Sequence, residues 1–171
     1  QYNGETKTWS DVGHQDFTAD SGIIRIRNGK VYLVKSGSGQ EGGEKASYLY
    51  SYDLRKNTGW QQVGSNHFAD TSILEMDLCF IGNDPYIAYL SGEQLRVTEV
   101  KYLKDESWTR LGNSVDRASL DGLAIYSFDG MIYVVYANQE SGRAYVKNHK
   151  SESVEDVSSG IIYEDENGKR L

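Results

Sequence analysis

Seven side chains stand out for the chemistry their types allow: His14, Asp16 and Asp20, then His67 and Asp70, then Asp116 and Asp121. Carboxylates and imidazoles can accept hydrogen bonds from a hydroxylated ligand, move protons, or ligate a metal. They fall in three polar stretches, residues 14–22, 65–72 and 113–122, which also carry Asn, Ser, Thr or Phe. Spacing argues against a metal, because His14 and His67 lie far apart with no second ligand at zinc-site separation; no metal and no cofactor is expected. A Gly-rich phosphate loop, a Gly-x-Ser-x-Gly elbow and a Cys/His pair at catalytic spacing are all absent, so no catalytic residue is assigned. Acidic residues from separate stretches could still converge on one mouth and act as a carboxylate pair without any linear signature. A structural role competes with ligand binding: Phe17 and Phe68 read as apolar plugs, and the Asp side chains as turn closers.

The three stretches recur because the chain repeats. Trp9-Ser10-Asp11-Val12-Gly13 returns as Trp60-Gln61-Gln62-Val63-Gly64 and as Trp108-Thr109-Arg110-Leu111-Gly112, with Trp-to-Trp periods of 51 and 48 residues. Periods of that size signal stacked or radial units rather than one continuous fold. Each unit reads as a polar connection, a hairpin, a third strand and the Trp strand. Ile23–Arg27 alternates apolar and polar residues, Asn28-Gly29 is a two-residue hairpin signal, Val31–Val34 resumes the apolar run, and Tyr48–Tyr52 is the third strand. The second unit repeats the order with Met76–Ile81, a turn at Gly82-Asn83-Asp84-Pro85, Tyr86–Leu90 and Leu95–Tyr102. The third has Leu123–Phe128, Asp129-Gly130, Ile132–Tyr136 and Ala144–Asn148. Val154 stands where a fourth Trp is due, and Ser159-Gly160-Ile161-Ile162 with Asn167-Gly168-Lys169 restates the opening hairpin of the first unit. The expected organisation is a single domain over residues 1–171, or a fragment of one, with repeats of approximately 9–59, 60–107 and 108–153 and a partial one at 154–171.

Composition fits this pattern. Tyr occurs 13 times, Gly 18 times and Pro once, a β-leaning, turn-rich balance. No segment sustains a 3.6-residue apolar period, which excludes helical repeats, and no stretch approaches the ~18 apolar residues of a membrane-spanning helix. A net charge of -7 argues against nucleic acid, whose binding needs a basic face to displace counterions. The lone Cys79 cannot form an internal disulfide and reads as a small core hydrophobe. The chain opens on Gln1 without an apolar signal region, as a processed or excised chain would.

Four short strands, tight turns and one Trp per unit match a propeller blade. The fold class expected is all-β: β-propeller blades made of four-stranded antiparallel repeats, three complete plus a partial or split fourth. Trp-x-x-Val-Gly, a polar loop containing Phe, an apolar strand, a Gly turn and a Tyr-Val-Val-Tyr-like strand resemble the propeller repeats of large bacterial surface proteins, distantly similar to kelch and tectonin repeats. The resemblance implies an extracellular or cell-surface binding module that recognises carbohydrate or a protein partner through inter-blade loops; the alternative is a propeller glycoside hydrolase or lyase fragment. Neither the kelch Gly-Gly doublet nor the sialidase Asp-box is present. Trp9, Trp60 and Trp108 are expected in equivalent positions. Because known propellers have at least about four blades, the ring would close through the Trp9 strand, missing sequence or a second copy.

Overall fold

A computed structural model describes residues 2–9, 13, 17, 21–37, 45–56, 58–92, 96–117 and 119–150. The chain is all-β, and among these residues there is no helix. A short hairpin of β1 (Tyr2–Asn3) and β2 (Thr8–Trp9) comes first. The first large sheet holds β3 (Gly22–Arg27), β4 (Lys30–Lys35), β5 (Tyr48–Asp53) and β6 (Gln61–Val63). The second holds β7 (Ile73–Ile81), β8 (Asp84–Ser91), β9 (Thr98–Lys104) and β10 (Ser107–Arg110). The third holds β11 (Leu120–Phe128), β12 (Met131–Asn138) and β13 (Arg143–Lys150). Each is an antiparallel meander with spatial order equal to chain order, the form of a propeller blade. Residues from 151 onward, which include the degraded fourth marker, lie outside the described residues.

The hairpin tips follow the turn chemistry read from the sequence. Asn28-Gly29 and Asp129-Gly130 have positive φ at both residues, as a type I′ turn requires. The second unit departs from expectation at Asp84 and Pro85, which belong to β8 rather than to the turn. Pro85 pairs with Phe80 at the outer end of the β7–β8 ladder and is buried. A strand's first positions tolerate Pro because few ladder bonds are lost there.

Apolar cores form between the sheets, not within them. Val34 and Leu49 of the first sheet meet Leu78, Phe80, Ile87 and Tyr89 of the second. Tyr86, Ala88, Leu90 and Val100 on the second sheet's other face meet Ile125, Ile132, Val134 and Tyr136 of the third. Each sheet therefore buries two faces only where it has two neighbours. Ile24 and Ile26 occupy the hairpin positions that Leu78 and Phe80 occupy one unit later, yet they are 59% and 70% exposed against 3% and 7%. The apolar residues of the Ile23–Arg27 alternation thus include exposed ones, because among the described residues no large sheet precedes the first. Tyr126 and Phe128 are exposed on the far face of the third sheet.

The marker residues are the joints between units. Phe17, which precedes the first sheet, lies edge-on to Trp60 at 5.4 Å, and Phe68, which precedes the second, lies edge-on to Trp108 at 5.8 Å. Trp60 Nε1 donates to the Gly13 carbonyl at 2.8 Å. Gly13 and Gly64 have φ of 66° and 84°, and a Cβ would sit 2.6 Å from the Tyr52 ring at the first and 2.8 Å from Trp108 at the second. Marker glycine thus combines a left-handed backbone with the seat for the next unit's aromatic side chains. Trp9 breaks the expected equivalence: it is 80% exposed and touches Tyr2 at 5.1 Å, because no Phe plug precedes it among the described residues. Trp60→Ala and Trp108→Ala should each lower the unfolding free energy by about 2 to 4 kcal/mol, and Trp9→Ala by less than about 0.5 kcal/mol, as read from urea denaturation.

Candidate functional site

Inter-blade loops 65–72 and 113–122 converge at the end of the sheets where β7 and β11 begin. A cleft of about 910 Å³ opens there, flanked by Thr71 and Ser72 from one loop and by Ser114 and Arg117 from the other. The second sheet adds a wall through Tyr89, Glu99 and Arg110, and Lys45, ahead of β5, borders it as well. Tyr89 on β8 stands opposite Glu99 on β9, which brings the phenol within 2.7 Å of Glu99 Oε2 as a donor. Arg110 Nη1 donates to Glu99 Oε1 at 3.2 Å, and Arg110 Nε to the Gly112 carbonyl at 3.1 Å. Glu99 is held from both sides. Burial, and then its bond to the Glu99 carboxylate, push the Tyr89 phenol up, so it remains a neutral donor.

The four described residues of the sequence-derived set, His67, Asp70, Asp116 and Asp121, do not line this cleft. His14, Asp16 and Asp20 lie outside the described residues. His67 Nε2 meets Asp70 Oδ1 at 2.6 Å, three residues apart in the same loop. That pair borders a different hollow of about 450 Å³ with Lys101 and Trp108. Asp116 Oδ1 accepts the Arg117 N–H at 2.6 Å, and the Asp116 carbonyl accepts the Thr98 N–H at 3.0 Å, a turn-closing role. Asp121 is an exposed residue of β11 beside a register shift. Among the described residues no three His, Cys, Asp or Glu side chains gather as a metal site.

Missed in the sequence was a carboxylate inside the stack. Asp77, in the middle of β7, is buried. Its Oδ1 takes the Arg25 guanidinium from the first sheet and the Leu78 N–H at 2.8 Å, while Oδ2 takes the Ile125 N–H of the third sheet at 3.0 Å. Its signal was an acidic residue amid the apolar run Ile73–Ile81. Cys79, two residues on, packs half-buried against the second core, and burial with the nearby Asp77 pushes its thiol up to about 12. A thiol held that far from ionisation is a poor nucleophile at neutral pH.

Comparison with solved structures places this arrangement. The RS223 β-xylosidase superposes with a TM-score of 0.56 at 15% identity, over 91% of this chain and 62% of that one. The GH43_1 enzyme from Xanthomonas citri, complexed with xylose, gives 0.52 at 13% identity over 91% and 58%. GH43B of a Bacteroides ovatus xyloglucan PUL gives 0.52 at 14% identity over 82% and 28%. The fold is that of a β-propeller. The chain spans less than two thirds of the length of each of these three proteins. No protein-family model matches the chain, and no curated protein is similar to it in sequence. At 13 to 15% identity these likenesses are in fold, and the fold they share with this chain is the propeller.

The buried phenols make the protein sensitive to alkali. Tyr136, like Tyr89, is pushed up by burial and then by a nearby carboxylate, here Asp116. Groups with raised folded-state values contribute stability in full below the unfolded value, about pH 10 for Tyr, and lose it as pH rises beyond. The urea midpoint should be flat with respect to phenol ionisation up to about pH 10 and fall above it. Tyr89→Phe and Tyr136→Phe should each make that fall shallower.

Proposed function

We propose that this chain is the sugar-engaging portion of an extracellular or cell-surface β-propeller of the glycoside hydrolase kind. The observation that carries the reading is the rim cleft: loops from successive blades flank one opening on a fold shared with a β-xylosidase and a xylose-bound enzyme. Its volume of about 910 Å³ lies toward the upper end of small-molecule sites, ~300 to 1,000 Å³. Hydroxyls of Thr71, Ser72, Ser91 and Ser114 at its border suit a polyhydroxylated ligand. Loops on a rigid scaffold are where binding residues concentrate.

Of the two classes expected from sequence, the hydrolase is the better supported, since the structural likenesses are to proteins named as glycoside-processing. Hydrolysis needs two carboxylates placed across the bond. Asp77 is already committed on both oxygens to protein donors, so its role here is to tie the blades together. Chemistry would draw on acidic groups of a completed ring, whose further blades come from additional sequence or a second copy and cover the exposed Ile24 and Ile26 on one side and Tyr126 and Phe128 on the other.

Titration calorimetry with xylotriose tests this reading. The chain should bind it, and Ser114→Trp, which fills the cleft mouth, should remove the signal while circular dichroism stays unchanged. Binding that survives Ser114→Trp would place the sugar elsewhere. Release of nitrophenol from an aryl xyloside by the chain, and its absence in the cleft variant, would extend the result to catalysis.

A further inference from the structure

The short hairpin of β1 and β2 has the build of the outer half of a blade. Trp9 on β2 stands opposite Tyr2 on β1 as Trp108 on β10 stands opposite Leu103 on β9. Gly13, just past Trp9, is seated against Tyr52 and Trp60 of the first sheet, and Gly64, at the same spacing past Trp60, is seated against Leu103 and Trp108 of the second. β2 thus leads into the first sheet as β6 leads into the second. What β1 lacks, among the described residues, is the inner neighbour that β5 has in β4 and β9 has in β8. The same missing half shows on the large sheets, in the exposed Ile24 and Ile26 of the first and the exposed Tyr126 and Phe128 of the third.

Residues 159–171 have the sequence of that inner half. Ser159-Gly160-Ile161-Ile162 and Asn167-Gly168-Lys169 restate the hairpin that opens the first sheet. From Gly160 to the Asn-Gly tip the stretch is one residue longer than in the first unit, which is the room one β-bulge takes. β7 and β11 each carry such a register shift near their starts. We propose that residues 159–171 dock between the third sheet and the first of the same chain, and that β1 pairs with their second strand to complete a split fourth blade. The register of the described blades fixes the contact. Lys104 and Leu103 hold beside β10 the places that Asn3 and Tyr2 hold beside β2, and Tyr102 pairs with Tyr86, the third residue after the Gly82-Asn83 tip. Counted from the Asn167-Gly168 tip in the same way, Lys169 falls opposite Asn3 and Arg170 opposite Tyr2. Leu171 then takes the place of Tyr32, whose ring lies 4.7 Å from that of Phe80. Phe80 holds in the second sheet the position of Ile26 in the first, so Leu171 comes to cover Ile26. Both halves belong to one chain, which makes their meeting intramolecular. With the three sheets the split blade makes a ring within the usual range of about four to eight blades, whatever the cleft binds.

Paired cysteines in the full chain, with Cys79→Ser as background, test the inference. Tyr2→Cys with Arg170→Cys, and Asn3→Cys with Lys169→Cys, put thiols on directly opposite residues, and one of the two pairs has the closer, non-hydrogen-bonded spacing that a disulfide can bridge. One of them should close within the monomer in a glutathione redox buffer, as read by mass spectrometry and a non-reducing gel, and the out-of-register pair Tyr2→Cys with Ser159→Cys should not. A disulfide between two chains would overturn closure within the chain and give the edge of β1 to a second copy. No disulfide from either pair in a protein that circular dichroism shows folded, or an equal yield from the out-of-register pair, would overturn the docking itself. As a second readout, Ile26→Cys in the same background should react with a maleimide about tenfold more slowly than when Leu171→Asp is added to it, because the docked strand must open first. Equal rates would overturn the cover over Ile26.

Discussion

The first strand of each blade has a free edge: among the described residues β3, β7 and β11 bond within their sheets only to β4, β8 and β12, which leaves their inward backbone groups without a ladder partner there. Unpaired edges away from water are costly, and this chain covers them with side chains from the adjacent blade. Asp77 takes the Ile125 N–H, Ser127 Oγ donates to the Phe80 carbonyl at 2.7 Å, and Arg27 Nε donates to the Gly82 carbonyl at 2.7 Å. Asn28 Nδ2 joins the two hairpin tips through Asn83 Oδ1 at 3.0 Å. The Arg25 guanidinium then neutralises Asp77, so one carboxylate links three consecutive sheets. Outside this seam the apolar cores need only shape and volume; at the seam the partners must be these groups at this register.

That geometry has a functional consequence. Because the inner strands are pinned near their middles and at their hairpin tips, the loops feeding the opposite ends start from fixed points. Residues 65–72 and 113–122 are thereby set side by side around the cleft, although they are some 48 residues apart in sequence. The outer seam adds a second constraint: the Ser65 N–H and Oγ both donate to the Glu106 carbonyl, at 2.7 and 2.9 Å, which ties the start of one flanking loop to the β9–β10 turn.

Much of the fold is legible in the sequence because its signals are local. Asn28-Gly29 and Asp129-Gly130 specify their turns through backbone sterics, and alternation over Ile23–Arg27 or Tyr48–Tyr52 reports a two-faced strand. The Trp and Gly markers are legible as a repeat, but their purpose is not, since it depends on contacts between units. Trp9 shares the motif and lacks the environment. Ile24 likewise has a core residue's type and place, yet among the described residues no large sheet covers it. The cleft is half legible: its loops read as polar connections, whereas Tyr89, Glu99 and Arg110 sit in strands whose alternation accounts for them equally well as surface or packing residues. Only the pairing of Tyr89 with Glu99 across β8 and β9 turns them into a wall. Asp77 offered one clue, a charge in an apolar run, and its partners at positions 25 and 125 could not be read without the stacking of three sheets.

Asp77 is therefore the link between the inner strands, and amide hydrogen exchange at Ile125 probes it directly. In the wild-type chain the Ile125 N–H should be protected to the degree of its ladder-bonded neighbours on β11 despite lying on a free edge. In Asp77→Ala it should exchange much faster, while the amides bonded between β11 and β12 keep their protection. Unchanged protection at Ile125 in that variant, with the protein still folded, would contradict the claim that Asp77 joins the blades.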